Sequence, residues 1–131
     1  MFLSKHHQWV TWTEDEDKVE IIPQEWGGWS AGPIAVRMAL ENEKPDEVYL
    51  IGFDLDSVDG KINNVYKDTE NYLASDAPVT PSVNWIQQHI VNFRDFPQVK
   101  FYKVNTSELD YEISEWSDFS NVAYILQKHL D

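Results

Sequence analysis

A chain of 131 residues, 42% hydrophobic and 25% charged, has the size and composition of one globular domain rather than a disordered tail. Ten Lys+Arg against 23 Asp+Glu leave a net charge of -13, which repels phosphate backbones; without a basic patch, and the sequence shows none, general nucleic-acid binding is excluded. Zero cysteines exclude a disulfide framework and thiolate zinc sites, and no apolar run approaches the ~18–20 residues of a membrane span.

The opening Met-Phe-Leu-Ser-Lys-His-His has no apolar h-region, so no secretory leader is expected and the expected compartment is the cytoplasm. No internal repeat or linker breaks the chain, which predicts a single domain over 1–131. Residues 6–13 (HHQWVTWT) read as a strand, the acidic run 14–17 as a solvated turn, and 18–24 (KVEIIPQ) as a second short strand closed by Pro23. Together they predict an antiparallel hairpin. Ser30 is placed to cap a helix over 31–42, with Pro33 in its first turn. Ile34, Ala35, Met38 and Ala39 form one apolar stripe there, and Val36 and Leu40 widen it.

Residues 46–54 (DEVYLIGFD) hold a continuous apolar run bounded by acids, the pattern of a central parallel strand buried on both faces. A polar connection over 55–79 follows, and a loop of that length is usually a lid or a binding segment. Thr80-Pro81 opens a second helix, with Val83, Ile86, Ile90 and Phe93 along one face and Trp85 and His89 beside it. Residues 99–104 (VKFYKV) alternate as a strand. The spacing of Phe119, Val122, Ala123, Leu126 and Leu130 predicts a last amphipathic helix over 118–130. Strands alternating with helices predict an α/β fold with a mostly parallel sheet and right-handed crossovers.

Ligands of such sheets sit beyond the carboxyl ends of the strands. Two segments qualify. The loop containing Gly27, Gly28, Ser30 and Gly32 offers backbone amides and the positive end of a helix dipole, suited to a phosphate or carboxylate; the same glycines equally serve a tight turn. Asp54, Asp56 and Asp59 gather three carboxylates past the strand, and Asp54 with Asp56 suits Mg²⁺ or Mn²⁺ when phosphates complete the shell; acids also simply solvate turns. Asn63, Asn64, Tyr66, Asn71 and Tyr72 offer base- or sugar-reading groups inside the long loop. Trp26 and Trp29 flank the glycines and could stack on a base, although most tryptophans are core. The four histidines show no metal or triad spacing.

Ser30-Ala31-Gly32, then Ala35 and Met38-Ala39-Leu40, then the run Val-Tyr-Leu-Ile-Gly-Phe-Asp over 48–54 resembles the second half of bacterial sialyltransferase-like proteins. It is similar also to the motility accessory factors and pterin-pyrophosphokinase-like proteins that share their architecture. Asn64-Val65-Tyr66 with Asn71-Tyr72, the helix from Pro81 and the strand over 99–104 continue in matching order, so the resemblance covers about residues 28–105. It implies a Rossmann-like fold binding a nucleotide, commonly a cytidine nucleotide-sugar, near Ser30, Gly32 and Asp54. The family opens with a glycine-rich strand–loop–helix, and this chain is expected to lack that half. Where the sialyltransferases carry a histidine base before the second helix, this sequence reads Ser75-Asp-Ala-Pro-Val-Thr80, leaving Asp76 as the substitute.

The expectation is therefore a three-layer Rossmann-like α/β domain with an N-terminal β-hairpin. Its nucleotide or nucleotide-sugar would lie at Gly28, Ser30, Gly32, Asp54 and Asn64, with a divalent ion on Asp54 and Asp56. Whether it is an enzyme stays open in the sequence. The alternative is a non-catalytic assembly protein that oligomerises through an uncovered sheet edge. A homo-oligomer is expected; an isolated monomer that binds ligand would favour the first reading and a ligand-indifferent oligomer the second.

Overall fold

A computed structural model of the chain describes residues 2–4, 20–56, 61, 68, 69, 74, 76, 78 and 82–130. Strands β1 (Phe2–Ser4) and β2 (Glu20–Ile22) pair in parallel, with Leu3 opposite Ile21. A parallel pair needs a dozen or more residues of connection, and the interval between these strands is long enough. The first strand of the expected hairpin falls outside the described residues. The second is β2, and the partner described for it is β1, in parallel.

Helix α1 (Ala31–Glu43) starts after Ser30, whose backbone is extended and whose hydroxyl makes no capping bond. It ends at Lys44, which takes a left-handed conformation (φ 48°). Pro33, Ile34, Val36 and Leu40 are its buried residues, while Ala35 and Ala39 are exposed. The inward stripe thus lies one step round from the expected one. Val36 and Leu40 enter the main core; Ile34 and Met38 join Trp26 and Trp29 in a small separate cluster.

Strand β3 (Glu47–Leu50), helix α2 (Val83–Asp95), strand β4 (Lys100–Asn105) and strand β5 (Val122–Leu126) complete the described architecture. Short 3₁₀ turns cover Gln24–Trp26, Ser114–Trp116 and Gln127–His129. The last three strands form one parallel sheet in the order β3-β4-β5. The fold is α/β. Two expectations are corrected by this topology. The strand expected to be central, β3, is at the end of the sheet among the described residues, with its Tyr49 44% exposed and Ile51, just past it, 60% exposed. The central strand is β4, whose residues from Phe101 onward are buried except Tyr102, which is half-buried. The expected C-terminal helix is strand β5: β-branched and aromatic Val122, Tyr124 and Ile125 favour the pleated conformation, and pairing with β4 decides it.

Register puts Val48, Phe101 and Val122 in one row and Leu50, Lys103 and Tyr124 in the next row on the same face. Val36 and Leu40 of α1 and Phe93 of α2 pack with Leu50 and Phe101 from this face. Phe93 anchors the packing, edge-on to Phe101 (ring centroids 4.8 Å apart) and to Trp116 (4.9 Å). Such aromatic pairs add ~1 kcal/mol beyond their buried area. Trp116 donates its indole N–H to the Ile86 carbonyl at 3.2 Å. The two helices are joined by the Arg37–Asp95 ion pair (2.8 Å) and by the Asn92 amide donating to the Pro33 carbonyl (3.1 Å). Among the described residues no helix is long and apolar enough to cross a membrane.

Candidate functional site

Because the strands of the main sheet run parallel, their carboxyl ends lie together, and the helices enter from that side. Three features occupy it. The first is the meeting of the α1 N-terminus with the segment leaving β3. A Cβ placed on Gly32 would lie 2.7 Å from Cε1 of Phe53, so only a glycine lets this ring rest on the first turn of the helix. The serine–glycine loop and the Gly52-Phe53-Asp54 segment therefore share one place in the fold, as the sequence order suggests. That place is filled by the Phe53 ring. The Ser30 amide is engaged as well, donating to Oε1 of Gln88 at 2.9 Å.

The second feature was not anticipated from the sequence. Lys103, on the central strand, is 1% exposed. Its ammonium donates to Oδ1 of Asn105, which is also buried, and lies 4.8 Å from the centroid of the Tyr111 ring. The Asn105 amide in turn donates to the Tyr111 carbonyl at 2.8 Å, and the Tyr111 hydroxyl donates to the backbone carbonyl of Asp54. Burial pulls the Lys103 ammonium below the ordinary lysine range, while the carboxylates of Asp54, Asp110 and Asp56 push the other way. The Tyr111 phenol is driven up to about 12, first by burial and then by Asp56 and Asp54. A buried lysine thus sits toward the carboxyl end of the sheet, within electrostatic reach of Asp54, Asp110 and Asp56.

The third feature is a half-open depression of about 370 Å³ lined by Leu126 and the exposed Thr106, Ser107, Gln127 and Lys128, immediately beyond the carboxyl ends of β4 and β5. Its volume falls in the range of small-molecule sites. Two hydroxyls, an amide and an ammonium give it groups for sugar hydroxyls and phosphate oxygens.

Of the residues singled out earlier, Ser30, Gly32, Asp54 and Asp56 gather at this end. Gly28 is exposed, with a left-handed φ of 89°, and an added Cβ would meet nothing within 4 Å. Its glycine thus serves the turn. Asp76 is exposed. Asn64 and Asp59 lie outside the described residues. Among the described residues no group of three or more His, Asp or Glu side chains could hold a metal ion, and a site on Asp54 and Asp56 would need ligand oxygens to complete it. No family model, no curated protein and no solved structure matches the chain.

Proposed function

We propose that this domain binds a nucleotide or nucleotide-sugar beyond the carboxyl ends of its parallel strands, acting in the cytoplasm. The observation that carries the reading is the depression at Thr106, Ser107, Gln127 and Lys128, because it lies where parallel α/β sheets hold their ligands. In this reading the phosphate meets Lys128 and the hydroxyls, and the buried Lys103 offsets the charge of Asp54 and Asp56. Mg²⁺ or Mn²⁺ would use those two carboxylates together with phosphate oxygens. A three-layer Rossmann-like arrangement with an N-terminal hairpin is the finer form of the fold this reading entails. The proposal is of binding, not of glycosyl transfer: Asp76, the base that the resemblance leaves, is exposed, and a solvated carboxylate is a poor acceptor for a hydroxyl proton.

Titrating the full chain with CMP, UDP and ATP, with and without Mg²⁺, tests it by thermal shift and by amide NMR. Shifts at Thr106, Ser107 and Lys128, weakened about tenfold by Lys128→Gln, are expected from the loss of one charge-assisted contact. No response to any of the three at millimolar concentration overturns the reading.

A second reading is favoured by one observation. Parallel sheets are normally covered on both faces, yet Tyr49 is exposed on the face opposite the helices, where it stacks on Tyr102 at 4.8 Å, and Ile51 just past the strand is exposed too. A second copy of the chain covering that face would make this an assembly domain, and a monomeric mass at high concentration would count against it.

A further inference from the structure

The depression at Thr106 and Lys128 opens from a single register pair. Asn105 and Leu126 are partners at the ends of β4 and β5, and beyond them the two chains part, one into Thr106 and Ser107, the other into Gln127 and Lys128. The Asn105 side chain, only 2% exposed, turns the first of these. Its Oδ1 accepts from the Lys103 ammonium, and its amide donates to the Tyr111 carbonyl at 2.8 Å, so one side chain closes the loop over 106–110 from inside. Within that loop the Leu109 amide donates to the Thr106 carbonyl at 3.2 Å. The far end is anchored twice. The Tyr111 hydroxyl donates to the Asp54 backbone carbonyl, and the Ile113 amide donates to the Tyr124 hydroxyl at 3.0 Å. Tyr111 is therefore held at the exit of β3, on the opposite side of β4 from β5.

We propose that Asn105 is the positioning residue of the ligand depression: by drawing the loop over 106–110 toward β3, it holds Thr106 and Ser107 apart from Gln127 and Lys128, so that a ligand meets two preformed walls. This role rests on nucleotide binding in the depression, the reading given above, and adds to it the buried group that sets one wall. A ligand that finds Thr106 and Ser107 already ordered is spared the cost of ordering them. Lys103 acts one step further back. A primary amide can present either its oxygen or its nitrogen to a neighbour, and an ammonium at Oδ1 leaves the nitrogen for the Tyr111 carbonyl. The buried lysine thereby fixes the sense of the bridge, a task that stability alone does not demand, since a buried charge gains little over an apolar side chain of similar volume.

The test is amide NMR of the full chain, free and titrated with CMP. Asn105→Asp keeps an acceptor for Lys103 but sets a carboxylate against the Tyr111 carbonyl, so the loop is released while the buried ammonium stays partnered. In the free protein, the amide shifts it causes should concentrate at 106–111 and leave Gln127 and Lys128 near their wild-type values. CMP affinity should fall about fivefold to tenfold, the cost of ordering one or two side chains on binding. A general loss of structure would weaken every contact alike, whereas a positioning role is selective. Ser107→Ala should therefore cost severalfold in the wild type and less than about twofold in Asn105→Asp, while Lys128→Gln costs about tenfold in both backgrounds. Equal losses at Ser107 in the two backgrounds overturn the proposal and leave nucleotide binding standing. So does an Asn105→Asp protein that binds CMP as tightly as the wild type, or free-state shifts spread equally over 127–128. A wild type that answers to none of CMP, UDP and ATP removes nucleotide binding itself, and the positioning role with it. Should Asn105→Asp not fold, Tyr111→Phe, which gives up only the tie to Asp54, is held to the same criteria.

Discussion

His89 gives the clearest single-residue signature. Its imidazole is fully buried and its pKa is lowered to about 4, so the folded state resists a proton that the unfolded chain accepts near 6.5. As pH falls from about 6.5 to 4, the unfolded state binds the proton first and stability drops by roughly 3 kcal/mol, with no further contribution below the folded pKa. His89→Phe keeps the ring and removes both nitrogens, neither of which has a hydrogen-bond partner among the described residues. It is expected to gain about 1 kcal/mol near neutral pH and to lose that part of the acid slope, measured by urea unfolding at several pH values. An unchanged slope would show that His89 titrates normally. The contact between Gly32 and Phe53 gives a second test. Gly32→Ala drives a Cβ into the Phe53 ring and should cost about 1–3 kcal/mol. Adding Phe53→Leu should recover part of that loss, and strict additivity would mean that the two residues do not meet. This contact was foreshadowed by the sequence, since a serine-glycine helix start and an apolar strand ending in Gly-Phe-Asp converge in a parallel α/β layout. Lys103 was not, because a lysine in an alternating strand reads as solvent-facing. One signal pointed the other way: Lys103 has the parity of Phe101, not of Lys100.

Between elements, the asparagines hold what hydrophobic packing alone leaves loose. Asn121, just before β5, donates to the carbonyls of Phe93 and Phe96 (3.1 and 3.2 Å), closing the C-terminal end of α2 onto the start of that strand. Asn105 bridges β4 to Tyr111 while serving Lys103. Asn105→Ala strips a partner from a buried ammonium and a donor from the Tyr111 carbonyl, so a loss of about 2 kcal/mol in chemical denaturation is expected. A loss below about 0.5 kcal/mol would mean that water replaces the amide. Both long helices and β4 were legible, because breakers or polar residues bound them and their apolar spacing is unambiguous. Strand β5 was misread since Phe119, Val122, Ala123 and Leu126 also satisfy helical spacing. Local pattern could not choose between the two; β-propensity at Val122, Tyr124 and Ile125 together with the open edge of β4 did. The position of β3 at the sheet's end among the described residues was likewise beyond reach of its own sequence, because a continuous apolar run records burial potential rather than neighbours. Pairing partners fix which strand is central.

At the scale of the molecule, two forces act in opposite directions on self-association. The net charge of -13 makes copies repel, and that repulsion is screened as salt shortens the Debye length from ~10 Å at 0.1 M to ~3 Å at 1 M. Against it stands the apolar surface formed by Tyr49 and Tyr102 on the sheet and by Ile51 just past β3, whose burial gains roughly 25 cal/mol per Å² irrespective of salt. If this face pairs with a second copy, association must strengthen as ionic strength rises, the reverse of what an interface built on opposite charges would do. Sedimentation velocity at 0.05, 0.15 and 0.5 M NaCl reads this directly, the ~14-to-8 Å fall in screening length being largest over the lower part of that range. The expected dimer fraction increases with salt, and Ile51→Lys abolishes it by placing a charge where the apolar contact forms. Ile51 is 60% exposed in the single chain, so that substitution is expected to leave the fold intact within about 0.5 kcal/mol. A monomer at every salt concentration, in the wild type as in Ile51→Lys, would remove self-assembly and leave ligand binding at the carboxyl ends of the strands as the reading to pursue.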